Sequence, residues 1–326
     1  MKLDATIAAG PERSAELAAG LERAGYDGVW SAETTHDAFL ALATAATATA
    51  RVTLGTAVAT AFTRSPMVTA IAAWDLQRAS RGRFVLGLGT QVRAHNVRRF
   101  SVACEPPAPR LRELVEALRH IWGAFQGEHR LRFRGRFYRH DLLTPFFDPG
   151  PIEWPAPHVY LAAVTPSMYR LAGEVADGVH VHPLHSARYL REVALPALGS
   201  RRPRPVLAGS VFVCLPGDER AVREQIAFYA STPTYRPVLD THGRGELSER
   251  LHRLQARGEV AAMAAAVDDE LLGEVAVGAS SWPEAARRLR ERYAGLLDRV
   301  GVYRLGFPES AQEAAAIAAA FREAGG

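Results

Sequence analysis

The chain has 326 residues, of which 39 are Lys or Arg and 35 are Asp or Glu, for a formal net charge of +4. The length fits either one large domain or two. Hydrophobic residues make up 48% of the chain, but no run reaches the ~18 apolar residues of a membrane span. Two cysteines and the lack of a signal-peptide pattern predict a cytoplasmic protein without a disulfide framework.

Short apolar runs alternate with Ala-rich stretches whose apolar residues recur at helical spacing. This alternation predicts βαβ units with parallel strands. The predicted strands are residues 3–9, 28–33, 52–60, 83–89, 158–164, 178–183, 206–215 and 302–307. The predicted helices are residues 13–24, 38–50, 66–80, 110–126, 166–175, 186–198, 218–231 and 310–324.

Eight strand–helix units in order predict an α/β fold of the (β/α)8 TIM-barrel type. The continuous apolar character of residues 83–89 indicates strands that are covered on both faces. A doubly wound open sheet alternates in the same way, but it usually has a Gly-rich loop after its first strand. Residues 9–12, Ala-Gly-Pro-Glu, form no such loop, so the closed barrel is favoured.

Two segments fall outside the repeat. Residues 127–157 follow the fourth helix, and residues 233–273 follow the seventh. Long segments of this kind often carry function in barrel enzymes. We therefore expect both insertions to cover the barrel mouth.

The turn after the second strand carries the first candidate catalytic residues, Glu33, His36 and Asp37. Catalytic groups of barrel enzymes lie at the carboxyl ends of the strands. A histidine beside carboxylates can exchange protons, and it can also hydrogen-bond a heterocyclic cofactor. Asp37 also fits the N-cap of the helix that begins at residue 38.

Three further strand ends carry candidate cofactor-binding residues. Small residues at 54–60 leave room for a flat ring or simply pack the barrel interior. The turn at 87–91 contains a Gly-Leu-Gly sequence, and hydroxyls follow strand five where a helix N-terminus could seat a phosphate or simply be capped. The candidates at these three ends are Ala57, Val58, Thr60, Thr90, Gln91, His95, Val164, Thr165 and Ser167.

His180, His182 and His185 follow one another around the end of strand six. Alternate residues of a strand face the same side, so His180 and His182 point together and could hold a metal ion. A metal-dependent barrel hydrolase is therefore an alternative, although such enzymes usually place the pair on the first strand and use a modified lysine. The sole lysine here is Lys2, so we predict no metal and a substrate contact for His182 or a structural role.

Residues 130–139 interleave five arginines with aromatic side chains. This pattern superficially suggests nucleic acid binding. Alternation with a period of two around Gly135 is explained more simply by a β-hairpin with its arginines outward. We therefore predict no nucleic acid partner.

Five motifs in order give the chain a wider resemblance: AGYDGVWSAE (24–33), RVTLGTAV (51–58), SPM (65–67), GRFVLGLGT (82–90) and AGEVADG (172–178). With these motifs the chain resembles the luciferase-like monooxygenase superfamily, in its branch of coenzyme F420-dependent oxidoreductases. The resemblance covers nearly the whole chain and implies the same (β/α)8 barrel, as a single domain over residues 1–326 that carries both insertions. It also implies a non-proline cis peptide bond, which matches Ala57–Val58, behind the central ring of the cofactor.

The resemblance implies hydride transfer between F420 and a small organic substrate, with His36 or Glu33 exchanging the accompanying proton. The family's acidic residue after strand two matches Glu33, whereas His36 and Asp37 lie just beyond its usual histidine position. Trp30 and His182 would line the substrate site. An FMN-dependent monooxygenase is the closest alternative, but the Ala- and Arg-rich composition suggests a high-GC source and favours F420. A homodimer is common in the family.

Overall fold

A computed structural model describes residues 1–303 and 310–325. Its centre is a closed ring of eight parallel strands, as the repeat predicts. The ring strands are β1 (Lys2–Ile7), β2 (Gly28–Ser31), β3 (Thr53–Thr56), β4 (Phe84–Gly89), β5 (His158–Ala163), β6 (Gly178–Val181), β7 (Val206–Cys214) and β8 (Arg299–Tyr303).

Parallel pairing closes the ring between its first and last strands. Asp4 of β1 pairs with Gly28 of β2 on one side and with Gly301 of β8 on the other. β7 pairs with both β6 and β8, which completes the circuit. All carboxyl ends therefore meet at one mouth, where barrel enzymes place their chemistry.

Helices follow the strands and cover the barrel. They are α1 (Pro11–Ala24), α2 (Ala38–Ala48), α3 (Pro66–Ala79), α4 (Pro107–Phe125), α5 (Pro166–Val175), α6 (Ala187–Tyr189, continued by the π turn Leu190–Ala194 and by Leu195–Ala197), α7 (Glu219–Ala230) and α8 (Ala311–Glu323). Ser65 and Thr165 cap α3 and α5, and each is followed by a proline.

The lower half of the barrel is filled by large polar and aromatic side chains. Asp4 and Arg299 form an ion pair of 2.6 Å that is almost completely buried. The Arg299 guanidinium lies 5.5 Å from the Trp30 ring, which contacts the His180 ring edge-on at 4.8 Å. These contacts make the barrel interior a packed core rather than a channel.

Glycines on neighbouring strands make room for these side chains. A Cβ atom at Gly55 would lie 2.3 Å from the Trp30 ring, and one at Gly178 would lie 2.5 Å from the Tyr160 ring. A Cβ atom at Gly87 would meet the Thr56 carbonyl oxygen at 1.9 Å and His180 Nε2 at 2.7 Å. Each of these glycines is therefore required by the space that a neighbouring strand fills.

The observed strands differ from the prediction in three places. The third is interrupted after Thr56 and resumes as the short strand Ala59–Thr60, which pairs with β4. The eighth begins at Arg299, whose charge conceals it in a hydropathy pattern, and the predicted residues 304–307 lie outside the described residues. An additional parallel strand, Ala276–Gly278, pairs with the end of β7; three residues are too few to give a periodic signal.

The first insertion packs beside the barrel. It contains the predicted hairpin, in which Phe133 pairs with His140 and Arg134 with Arg139, and its five arginines are exposed. Glu113 of α4 accepts hydrogen bonds from three backbone N–H groups of the hairpin turn. Farther along, Trp74 of α3 donates a hydrogen bond to the Gly150 carbonyl. Its described polar contacts are thus mainly with the outer sides of α3 and α4.

The second insertion is helical. Its helices are Arg236–Asp240, Gly245–Ala256, Val260–Ala265 and Asp269–Val275, preceded by the 3-10 turn Pro233–Tyr235. The Tyr235 ring contacts His182 just beyond β6, so this insertion reaches the barrel mouth, as predicted. Within the described residues, every helix is too short or too polar to cross a membrane.

Candidate active site at the barrel mouth

The floor of the mouth is made of small residues on β3, β4 and β5. The peptide bond Ala57–Val58 is cis, as the resemblance implies. A Cβ atom at Gly89 would lie 2.6 Å from Val58 Cγ2 and 3.4 Å from Ala162 Cβ, so the Gly89 backbone lies close to both of these small side chains. Methyl groups and backbone form this surface, which suits a flat ring system.

The loop after β2 is fixed by a network centred on Arg64. The Arg64 guanidinium pairs with Glu33 at 2.6 Å and also with Asp37. Glu33 Oε2 accepts a hydrogen bond of 2.6 Å from the Thr60 backbone N–H, while the Glu33 N–H donates to the Val58 carbonyl oxygen. Glu33 thus joins the β2 loop to the segment that follows the cis bond.

Asp37 has a second structural task, because its Oδ1 accepts hydrogen bonds from Phe39 and Leu40 at the start of α2. The N-cap expected from the sequence is therefore present. His36, between the two carboxylates, is exposed to solvent. Two of the three predicted catalytic residues, Glu33 and Asp37, are therefore paired with Arg64, and the third, His36, is at the surface.

The turn after β4 forms the neighbouring part of the rim. Thr90 is partly buried, and its carbonyl accepts a hydrogen bond of 2.8 Å from Asn96. Gln91 and His95 are exposed, and His95 lies in a short helix, Arg93–Arg98, that the sequence did not predict. Arg99 donates to the Thr34 carbonyl and so connects this turn to the β2 loop.

The start of α5 is the predicted seat for a phosphate. Thr165 accepts the Met168 backbone N–H as the N-cap, and its hydroxyl lies 3.0 Å from that of Ser167. The Val164 carbonyl accepts a hydrogen bond from Tyr189 of α6. The ten-residue α5 therefore begins at the rim with two hydroxyls at its first turn.

The opposite side of the mouth is an aromatic wall, which we define as His182, Tyr229, Tyr235 and Tyr303. The His182 ring lies 4.6 Å from the Tyr229 ring and 4.5 Å from the Tyr235 ring. The hydroxyls of Tyr229 and Tyr303 are 2.6 Å apart. Burial raises the pKa of both tyrosines, so they are neutral hydroxyls at pH 7.

The three histidines around the end of β6 are all held neutral. Burial lowers the pKa of His180 to about 3, with Arg299 adding to the shift. Burial likewise lowers the pKa of His182 to about 3 and that of His185 to about 4. Among residues 1–303 and 310–325 no three metal-binding side chains come together, so the His180–His182 pair gains no third ligand.

Trp30 does not lie where the substrate prediction expected it. Only 4% of its surface is exposed, because Gly55 leaves space for the indole inside the barrel. Its ring packs against Tyr160 and His180 in the barrel interior. His182, in contrast, is partly exposed at the mouth.

Comparisons with known proteins agree with this architecture. A family model described as luciferase-like monooxygenase matches residues 3–299. The chain belongs to the luciferase-like monooxygenase family. An uncharacterized protein from Mycobacterium tuberculosis is 47% identical over 314 residues, which is 92% of each chain.

More distant relatives carry named activities. A 5,10-methylenetetrahydromethanopterin reductase from Archaeoglobus fulgidus is 28% identical over 77% of each chain. The solved structure of the coenzyme F420-dependent tetrahydromethanopterin reductase from Methanopyrus kandleri covers 97% of each chain with a TM-score of 0.75 and 20% identity. This structural likeness confirms the barrel fold.

Three residues of the aromatic wall were not predicted from the sequence. Tyr229 ends α7, Tyr235 lies in the second insertion, and Tyr303 ends β8. They are single aromatic residues in three separate segments, and no motif connects them. The predicted eighth strand, residues 302–307, placed Tyr303 near an amino end, whereas the observed strand ends at Tyr303, at the mouth where barrel enzymes place their chemistry.

Proposed function

We propose that the protein is a coenzyme F420-dependent oxidoreductase that transfers a hydride between the deazaflavin and a small organic substrate. The observation that carries this proposal is the small-residue floor formed by Val58, Gly89 and Ala162. A flat tricyclic ring can lie against this surface without displacing a large side chain. Membership of the luciferase-like family supports the proposal.

The residues that would hold the cofactor surround this floor. Ala57, Val58 and Thr60 would lie behind the ring. Other rim residues would contact the ring edge and the tail: Thr90, Gln91, His95, Val164, Thr165 and Ser167. When bound, F420 supplies a hydride donor or acceptor that reacts poorly with oxygen.

The chain's own residues then have distinct tasks. The Arg64 network with Glu33 and Asp37 would keep the β2 loop in place beside the ring. His36 is exposed, so its imidazole could exchange a proton with bulk water. The aromatic wall would face the substrate.

Titration of the protein with F420 and with FMN, followed by fluorescence quenching, tests the proposal. We expect micromolar binding of F420 and at least tenfold weaker binding of FMN. The substitution A162W fills the floor and should weaken F420 binding at least 100-fold. The matched control A316W alters an exposed alanine of α8 and should leave F420 binding unchanged.

An FMN-dependent monooxygenase is the second candidate, because the matched family model is described as luciferase-like monooxygenase. The same floor would accept the flavin ring. Tight binding of FMN together with weak binding of F420 would replace our proposal with this one. Absence of binding by either compound would contradict both.

We also propose that the protein forms a homodimer through α2 and α3. Leu40 is 57% exposed, Val68 is 54% exposed and Ile71 is 41% exposed on these two neighbouring helices. Exposed apolar side chains on adjacent helices are typical of a surface that a partner covers. Sedimentation equilibrium should show a dimer for the wild type and a monomer for the L40E/V68E double variant.

A further inference from the structure

The imidazole of His182, part of the aromatic wall, is held in one orientation. His182 Nδ1 accepts a hydrogen bond of 3.1 Å from the Leu184 backbone N–H. A ring nitrogen that accepts cannot carry the proton in the neutral form, so the proton is on Nε2. No described residue forms a hydrogen bond with Nε2, and the ring is partly exposed at the mouth.

The surroundings of His182 also oppose its protonation. Tyr229 from α7 packs edge-on against one side of the ring, and Tyr235 from the second insertion packs against another. His185 follows on the same segment, and Tyr303 from β8 reaches the group through its contact with Tyr229. No carboxylate forms an ion pair with His182 among the described residues. The imidazole is therefore a fixed neutral donor.

We propose that His182 Nε2–H donates a hydrogen bond to the oxygen of a carbonyl or alcohol substrate and so stabilises the negative charge that develops there. This inference rests on the proposed function, which supplies the hydride from reduced F420. It extends the predicted substrate contact to a defined atom, protonation state and substrate class.

The chemistry balances without a proton from His182. Arrival of the hydride, with its two electrons, at the carbonyl carbon moves the C=O π pair onto oxygen. The oxygen then takes one proton from His36 or from water, and His182 keeps its own. A neutral N–H donor aimed at a developing oxyanion contributes on the order of 10²-fold to 10³-fold in rate.

The position of His182 agrees with this role. Its neighbour two residues earlier, His180, pairs in register with Ala162 of the floor. His182 therefore lies one step closer to solvent than the surface on which the ring would rest, on the side where the substrate must approach. Tyr229 and Tyr235 act as positioning residues, since they hold the imidazole.

The first test needs neither cofactor nor substrate. In long-range ¹H–¹⁵N spectra of histidine-labelled protein, the signal that disappears in H182Q belongs to His182. We expect it to show the Nε2–H tautomer unchanged from pH 5.5 to pH 8. An Nδ1–H tautomer, or a titration near pH 6.5, would overturn the inference.

The second test uses reduced F420 and a panel of simple ketones and aldehydes, including cyclohexanone and benzaldehyde. H182A should lower kcat about 100-fold with the Kd of F420 changed less than twofold, and H182Q should restore at least tenfold through its amide N–H. Unchanged kcat in H182A would contradict the inference while leaving the proposed function intact. Failure of the wild type to bind F420 would instead contradict the proposed function, and the spectra would still decide the state of His182.

Discussion

The β2 loop and the aromatic wall face each other across the barrel mouth, and they are built in opposite ways. The β2 loop takes Glu33 and Asp37 from one short stretch of sequence and fixes them by ion pairs to Arg64, which follows the next strand. The aromatic wall takes its residues from four different elements and contains no ion pair among its described members. The charged residues of the loop support the architecture, whereas the residues that we propose to face the substrate come together only through folding.

The largest expected effect is a loss of stability at acidic pH, caused by the three histidines around the end of β6. His180, His182 and His185 have folded pKa values of about 3, 3 and 4, below the value of about 6.5 for an unfolded chain. Below pH 6.5 the unfolded state binds more protons, so the free energy of unfolding falls as the pH drops toward 4. Each histidine contributes up to about 1.4 kcal/mol per pH unit.

Urea unfolding at pH 7.5, 6.5, 5.5 and 4.5 measures this slope. H182Q should reduce it by about one proton, while Y235F keeps all three histidines and should preserve it. An identical slope in wild type and H182Q would show that the wall does not hold His182 neutral.

The next effect concerns the β2 loop. E33A leaves the Thr60 N–H without its acceptor and removes one partner of Arg64, so we expect a loss of about 2 kcal/mol in the free energy of unfolding. E33Q keeps an acceptor for Thr60 and should lose about half as much. Urea denaturation of the three proteins provides the comparison; a change below 0.5 kcal/mol in E33A, roughly the scatter of surface substitutions, would mean that the network does not hold the loop.

A smaller loss of stability is expected for one tyrosine of the aromatic wall than for the other two predictions above, and it distinguishes Tyr229 from Tyr235. Y229F removes the hydroxyl that lies 2.6 Å from Tyr303 and should cost about 1 kcal/mol. Y235F removes a hydroxyl that forms no hydrogen bond with the described residues, so its stability should be nearly that of the wild type. Thermal unfolding of both variants decides the matter, and equal losses would contradict the assigned hydroxyl pair.

The smallest effect is expected at His36. This residue is exposed, so H36A should change the free energy of unfolding by less than about 0.5 kcal/mol. Any loss of turnover in H36A then reports proton exchange rather than folding. A large loss of stability would reveal a structural role that the described contacts do not contain.

Much of the fold could be predicted because most of the barrel's strands and helices have their own periodic signal. The strand–helix repeat, the hairpin at 133–140 and the Thr165 cap all follow from local patterns. Arg299 could not be recognised as a strand residue, since its charge is compensated by Asp4 almost three hundred positions away. A charged residue in a barrel interior can be predicted only when its oppositely charged partner is known.

Less of the site could be predicted from the sequence, because here too the interacting residues lie far apart in the chain. Glu33 and Asp37 were noticed because they are only four positions apart in one loop, but their common partner Arg64 lies beyond the next strand. Tyr235 and Tyr303 were missed, because isolated aromatic residues resemble ordinary core residues. The catalytic assignment of His36, Glu33 and Asp37 remains a prediction.

The glycines inside the barrel have a consequence for how this sequence can vary. The three atoms nearest to a Cβ at Gly178 all belong to the Tyr160 ring, whereas a Cβ at Gly87 would also meet the Thr56 carbonyl oxygen at 1.9 Å and one at Gly55 the Val85 carbonyl oxygen at 2.7 Å. A smaller side chain at position 160 can therefore make room for a substitution at position 178, but no change of a neighbouring side chain can make room at positions 55 and 87. We therefore expect residues 160 and 178 to exchange as a pair over evolutionary time, while positions 55 and 87 stay glycine.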